Sequence, residues 1–268
     1  MSMESPVIAF APSNEPAGGP PMAAPCAGAG SVKIKCRGIV KDFGRGETLI
    51  RVLHGIDLDV CENEMTFIVG PSGCGKTTLI SIIAGILSAT EGTVDLFGTR
   101  ITGLKGRALV DFRRNNIGFI FQQFNLLPAL SAVENAAIPL IAQNLPERKA
   151  NEAATKYLIE LGLEKQLNKF PSELSGGQQQ RVAIARALVH SPRFIVCDEP
   201  TASLDAASGR AAVAMLRRAA VRPGRAVIIV THDSRIFEFA DRIVTMSDGQ
   251  IETIADGPAL SRVEAEPH

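Results

Sequence analysis

The chain reads as an α/β protein with a parallel-sheet core, an antiparallel β subdomain and an inserted α-helical subdomain. Three observations lead to this. Short apolar runs, such as "MTFIVG" from Met65 and "FIVCDEP" from Phe194, have the length of buried strands. They alternate with helix-length stretches, the order that produces parallel pairing through crossover helices. Near the N-terminus, "SVKIKCRGIVKDF" and "TLIRVLHGIDLDV" carry alternating or clustered β-branched residues with no helix between them, which reads as antiparallel strands.

The elements follow in order. Residues 1–30 are rich in Pro, Gly and Ala, with too little large apolar surface to offset ordering entropy, so they read as a disordered tail. The two antiparallel segments come next, then the buried strand ending at Gly70. "KTTLISIIAGIL" (76–87) is an apolar helix, and "GTVDLFG" and "IGFIFQ" are short strands, the latter ending in Gln122. A helix-rich stretch follows, roughly Ala129 to Lys169, within a helical subdomain of about 124–190. Its second helix opens with Pro146 and Glu147, carries Ala153, Tyr157, Leu158 and Leu161 on one face, and stops at Gly162. "RFIVCDEP", "RAVIIVTHD" and "RIVTMSDGQIETI" return to strands, with "AASGRAAVAMLRRAAV" a helix between the first two. The folded domain is expected over 31–256, with a tail over 257–268.

Composition narrows the function. The 28 basic and 28 acidic residues cancel, and the basic excess typical of a nucleic-acid partner is absent. The five cysteines have no CxxC and no metal spacing, and Cys74 and Cys197 sit inside apparent catalytic motifs. The expectation is a reduced, cytoplasmic compartment. Apolar stretches are interrupted before the roughly 18 residues a span requires, and the N-terminus lacks a basic region.

"GPSGCGKTT", Gly70 to Thr78, fits the pattern G-x-x-x-x-G-K-S/T between a buried strand and a helix. The loop residues Gly70, Pro71, Ser72, Gly73, Cys74 and Gly75 turn backbone N–H groups inward around phosphate. Lys76 reaches the β- and γ-phosphates, Thr77 holds Mg²⁺, and Thr78 continues the helix N-terminus. This motif in this context resembles that of P-loop NTPases, so a P-loop NTPase core is expected. Asp198 and Glu199 end an apolar strand, where Asp198 suits Mg²⁺ and Glu199 the activation of a water. His232 and Gln122 stand at the ends of other strands, placed to contact a γ-phosphate, Mg²⁺ or water.

"SELSGGQQQRVAIARAL" opens a helix with two glycines behind a serine and no cation nearby. Helix-terminal N–H groups, a hydroxyl and glycines that admit close approach make a second, backbone-built anion site at Ser175, Gly176, Gly177 and Gln178. A second grip without its own lysine makes sense if it closes over a nucleotide held by another copy. Together with the phosphate loop, "CDEPTASLD" and "VTHD", this stretch resembles the ATP-binding subunit of ABC transporters, from about Val32 to Ile254.

The resemblance implies ATP hydrolysis with ATP and Mg²⁺ bound, and a homodimer that sandwiches two nucleotides. Gly70 to Thr78 match the Walker A loop, Gln122 the Q-loop, Ser175 to Gln178 the signature, and Asp198 and Glu199 the Walker B aspartate and catalytic glutamate. His232 matches the switch histidine, and Ser203, Leu204 and Asp205 the D-loop. Phe43 stands where the family places an adenine-stacking aromatic, usually tyrosine. A narrower similarity, through "GETLIRVLHGIDLDV" and "IGFIFQQFNLLPALSAVENAAIPL", is to the lipoprotein-releasing and macrolide-export branch. That implies a separate integral membrane permease, a periplasmic adaptor protein, envelope cargo, and a place on the cytoplasmic face of the inner membrane held through the permease. Any one of Phe124, Leu126, Leu127 and Leu130 is expected to fill the core of the helical subdomain, and the few that stay exposed to form the contact surface. An ATP-gated regulator of cell-envelope hydrolases shares these motifs and is the alternative. DNA-repair members place long coiled coils between Gln122 and the signature, and ribosomal members carry two cassettes. Neither feature is present here.

Overall fold

The computed structural model describes Cys26 and residues 30–258. Most of the expected N-terminal tail and all of 259–268 lie outside the described residues. In chain order the first half runs β1 (Val32–Phe43), β2 (Ile50–Cys61), β3 (Met65–Val69), α1 (Lys76–Ile83), β4 (Glu91–Leu96), β5 (Thr99–Arg100), α2 (Gly106–Asn116) and β6 (Ile117–Ile120). The second half runs α3 (Ala132–Ala142), α4 (Glu147–Glu160), α5 (Gly176–Leu188), β7 (Phe194–Asp198), α6 (Ala206–Ala220), β8 (Ala226–Val230), β9 (Arg242–Ser247) and β10 (Gln250–Asp256).

The strands form two sheets. One is antiparallel, in the order β2-β1-β4-β5. The other has the order β10-β9-β3-β8-β7-β6, parallel from β9 to β6 and closed by the antiparallel β9–β10 hairpin. Every residue of β3 and of β8 is buried, as continuous apolar strands covered on both faces must be. In β1 the inward alternation of Ile34 and Cys36 breaks at Gly38, whose φ of 58° lies in the region open to glycine. The register shifts there against β2, and Ile39 returns to the core.

Alternation along the parallel strands divides the core by face. Phe67, Ile195, Cys197 and Ile229 face α5 and the helical subdomain, joining Ala136, Leu158, Val182 and Ile184. Ile68, Phe194, Val196 and Ile228 face the other way, onto Leu79 and Ile83 of α1 and onto Ile34, Leu53 and Leu58 of the antiparallel sheet. The helical subdomain thus shares one core with the parallel sheet.

Several local readings need correction. Helix α1 stops at Ile83, short of Leu87, because the chain turns at Gly85 with φ 64°. Helix α2 was not foreseen; it buries none of its residues fully, and Arg107, Asp111, Arg113 and Arg114 obscure any apolar stripe. On α4 the buried line is Ala150, Ala154 and Leu158, with Ala153 and Tyr157 flanking it. Cys26 and Cys61 form a disulfide, so the expectation of uniformly reduced thiols fails at this pair, while Cys36, Cys74 and Cys197 are free and buried. Among the described residues no helix is long and apolar enough to cross a membrane.

Candidate functional site

The carboxyl ends of the adjacent strands β3, β8 and β7 converge, where parallel α/β sheets place their ligand sites. From the end of β3, residues 70–75 loop into the N-terminus of α1. Gly70, Gly73 and Gly75 have φ of 149°, 84° and 98°. A Cβ on Gly70 would lie 2.1 Å from Met246 O, and one on Gly75 2.8 Å from Leu53 Cδ2. The loop is therefore packed closely against the end of β9 and against β2, and side chains at Gly70 and Gly75 would displace it. Lys76 is buried and folds back over it, donating from Nζ to Gly70 O at 2.8 Å and Pro71 O at 2.7 Å.

Asp198, the last residue of β7, accepts a hydrogen bond from Thr77 Oγ1 at 3.1 Å. Burial pushes its carboxyl above the ordinary range, more than the Thr77 bond and the Lys76 ammonium pull it down. Glu199 follows with φ 48°, a left-handed conformation costly for a residue with a Cβ, and its N–H donates to Val230 O at 2.9 Å. That turn aims its carboxylate at His232, whose Nδ1 lies 2.8 Å from Glu199 Oε1. Glu199 Oε2 is buried without a hydrogen-bond partner, so the carboxylate keeps one oxygen uncommitted.

Gln122 and His232 stand slightly beyond where the sequence put them. Strand β6 ends at Ile120, and Gln122 is an exposed residue of the following turn. Its carbonyl accepts from Ser203 Oγ at 3.2 Å. Strand β8 ends at Val230, two residues before His232. Phe43 is 42% exposed at the open end of β1, with Lys41 Nζ 4.9 Å from its ring centroid, so one aromatic face is available for stacking.

Ser175 and Gln178 form a reciprocal capping box at the start of α5: Ser175 N donates to Gln178 Oε1, and Gln178 N to Ser175 Oγ. With Gly176, Gly177, Ser203, Asp205 and Ser208 they line a cleft of about 440 Å³, to which no residue of 70–78 contributes. Asp205 caps α6, accepting from Ala207 N and Ser208 N. Within one chain the loop 70–75 and this cleft are therefore separate. Sequence reasoning missed Gly162, Leu163 and Gln166 as cleft walls, and it passed over Thr201 and Asp233, which meet beside His232. Residues that only line a wall carry no pattern of their own.

Among the described residues no group of three or more His, Cys, Asp or Glu could hold a metal. The site instead offers one carboxylate and one hydroxyl, Asp198 and Thr77. That donor set suits Mg²⁺, a hard cation that keeps waters and phosphate oxygens as its other ligands.

The Asp198 shift has a consequence for stability. A carboxyl whose folded pKa is raised stabilises the fold below its ordinary pKa, where it is protonated, and loses that stabilisation as pH rises through the raised value. At neutral pH, without a cation, ionised Asp198 costs stability. Asp198→Asn, which keeps an acceptor for Thr77, should raise the melting temperature at pH 7 by about 2–4 °C for each kcal/mol relieved. The gain should vanish as the pH falls below the ordinary carboxylate range, and calorimetry of the metal-free protein across pH checks both.

A family profile described as ABC transporter matches residues 53–202. The macrolide export ATP-binding/permease protein MacB of Pasteurella multocida is 44% identical over 223 residues, covering 83% of this chain and 34% of its own length. An uncharacterised ABC transporter ATP-binding protein of Mycobacterium tuberculosis is 40% identical over 220 residues, 82% of this chain and 66% of its own. This chain thus spans about a third to two thirds of those relatives. The cassette MJ0796 of Methanocaldococcus jannaschii is 40% identical over 224 residues, 82% of this chain and 95% of its own length. Its dimeric post-hydrolysis structure bound to ADP and Pi superposes with a TM-score of 0.74 at 37% identity, covering 83% of this chain and 98% of that one.

Proposed function

The chain belongs to the ABC transporter family, whose activity is ATP hydrolysis, and we propose that it works as a homodimer driving a separate membrane permease for the export or extraction of envelope cargo. One observation carries the reading: a phosphate cradle, a Thr77–Asp198 oxygen pair and a Glu199–His232 contact lie together at the ends of β3, β7 and β8. The loop 70–75 and Lys76 hold the β- and γ-phosphates, and Lys76 exchanges its carbonyl partners for phosphate oxygens. Phe43 stacks on adenine. Thr77 and Asp198, with Gln122, would hold Mg²⁺, which would supply charge neutralisation at the phosphates. Glu199 accepts a proton from the attacking water as its oxygen bonds to the γ-phosphorus and the bond to the ADP oxygen breaks. His232 orients Glu199 and donates to the γ-phosphate. Ser175 to Gln178, with Asp205 beside them, close over the nucleotide of the second chain. The separate cleft at Ser175 and the dimeric M. jannaschii cassette both support that arrangement.

The test is Mg²⁺-dependent phosphate release by the purified chain. Wild type should turn over ATP and Asp198→Asn should not. Equal rates would overturn the reading.

The residues named for the permease surface divide between core and solvent. Phe124 turns inward at φ 57° and is buried, Leu126 packs on the core, and Leu127 is exposed. Asn135, fully buried, ties down the loop by accepting from Leu127 N and donating to the carbonyls of Leu127, Leu130 and Ser131. An apolar groove lies beside this segment, lined by Val110, Ile117, Phe119, Phe121 and Pro139 with Arg114 and Arg186. Arg186 links it to the segment after Gln122, donating to Phe124 O and Asn125 O. A permease helix in this groove would sense movement of Gln122, and it would hold the chain on the cytoplasmic face of the inner membrane. Val110 is 49% exposed on α2. Val110→Glu should fold normally and keep the ATPase rate of the isolated subunit while abolishing copurification with permease-containing membranes. Wild-type copurification would move the contact elsewhere.

A further inference from the structure

Beside the Glu199–His232 contact lies a second bridge between the same two loops. Thr201 is 1% exposed, and its Oγ1 donates to Asp233 Oδ2 at 3.2 Å. Asp233 is fixed from every side: its N–H donates to Thr231 Oγ1 at 3.0 Å, and its carboxylate accepts from Arg235 Nε at 2.7 Å, Arg235 Nη2 at 2.9 Å and Arg235 N at 3.1 Å. Arg235 holds the Asp233 carboxyl below the ordinary range, so the acceptor is charged at neutral pH. Thr201 is fixed in turn by α6, where a Cβ on Gly209 would lie 3.2 Å from Thr201 Cβ and Cγ2.

We infer that Thr201 and Asp233 are a positioning pair that holds His232 against Glu199. The geometry carries this. The segment 199–201 is bound to 230–233 at three points: Glu199 N to Val230 O, His232 to Glu199, and Thr201 to Asp233. Glu199 sits in an unfavourable left-handed conformation, and His232 is 63% exposed in its side chain, so little packing restrains the imidazole. Of the two residues that flank it, buried Thr231 lies in line with β8, and Asp233 is the one tied across to the segment after Glu199. Because Thr201 packs on α6, which Asp205 caps at the cleft of the second grip, the pair also ties His232 to the wall that meets the other nucleotide.

The inference rests on the ATP-hydrolysis reading, and the experiment separates the two. Single-turnover release of radiolabelled phosphate is measured for wild type, Thr201→Val, Thr201→Ser, His232→Ala and the Thr201→Val/His232→Ala double variant, with nucleotide affinity and melting temperature alongside. Thr201→Val keeps shape and removes the hydroxyl. It should lower the rate about tenfold, the scale of one hydrogen bond to a charged acceptor, with nucleotide affinity within about twofold of wild type. Thr201→Ser should restore the rate. In the His232→Ala background the valine should cost nothing further, because the hydroxyl acts through that histidine. An undiminished rate in Thr201→Val, or a full additional loss in the double variant, overturns the inference while leaving hydrolysis intact. Should Thr201→Val fail to fold, Asp233→Ala reads the same cycle from the acceptor side, and additivity with His232→Ala again overturns it. A wild-type chain without turnover removes both readings together.

Discussion

Glu199→Gln will bind ATP as the wild-type chain does and hydrolyse it at least about a hundredfold more slowly, the range for loss of a general base. The amide keeps the shape of the carboxylate and an oxygen able to face His232, so the left-handed turn at Glu199 and its N–H bond to Val230 O are undisturbed. Lys76, Thr77 and Asp198 also remain, so binding is retained. What disappears is the buried, uncommitted Oε2 as a proton acceptor. With binding intact and cleavage blocked, ATP should accumulate in a closed dimer, visible by size exclusion as a nucleotide-dependent doubling of mass. Normal turnover by this variant would exclude Glu199 as the base.

Gly177→Ala should also lose activity, in a fold at least as stable as the wild type. Gly177 has no local steric reason to be glycine. It is helical, its φ is not positive, and an added Cβ would meet only Ser208 Oγ at 4.0 Å. Glycine in a helix costs roughly 0.5–1 kcal/mol relative to alanine, so the substitution should raise the melting temperature by about 2–4 °C or leave it unchanged. Its methyl group, however, projects into the cleft at the start of α5, where the helix N–H groups must approach a phosphate closely. Losing such preorganised contacts costs on the order of a hundredfold in rate. ATP binding by a single chain should be unaffected, since no residue of 70–78 lines that cleft. Calorimetry and phosphate release on the same preparation check the two effects. A variant that is both more stable and fully active would mean that nothing approaches Gly177.

These cases show which features are legible in a sequence. The cradle is encoded locally: the positive φ of Gly70, Gly73 and Gly75 and the lysine that follows occupy one short stretch. The capping box at Ser175 likewise needs only Ser175 and Gln178. The strands β3, β7 and β8 are continuous apolar runs, and their parallel pairing follows from the helices between them. Features that depend on distant partners were not legible. The Thr201–Asp233 bond spans 32 residues and exists only because β7 and β8 are neighbours. The Cys26–Cys61 bridge joins residues 35 apart in sequence. The groove at Val110 draws on residues from α2 to the end of α5, and α2 itself lacks the fully buried stripe that marks a helix in sequence. Which of Phe124 and Leu127 would be buried was not legible, because the inward turn of Phe124 depends on a left-handed backbone at a residue that rarely adopts one.

The proposed function needs one nucleotide shared between two chains, since the loop 70–75 and the cleft at Ser175 are separate within one chain. The most direct measurement is the initial rate of ATP hydrolysis per chain as a function of chain concentration at saturating Mg²⁺ and ATP. The rate per chain should be slow when dilute, rise as dimers form, and depend cooperatively on ATP. A monomer that hydrolyses ATP at full rate, independent of concentration, would contradict it.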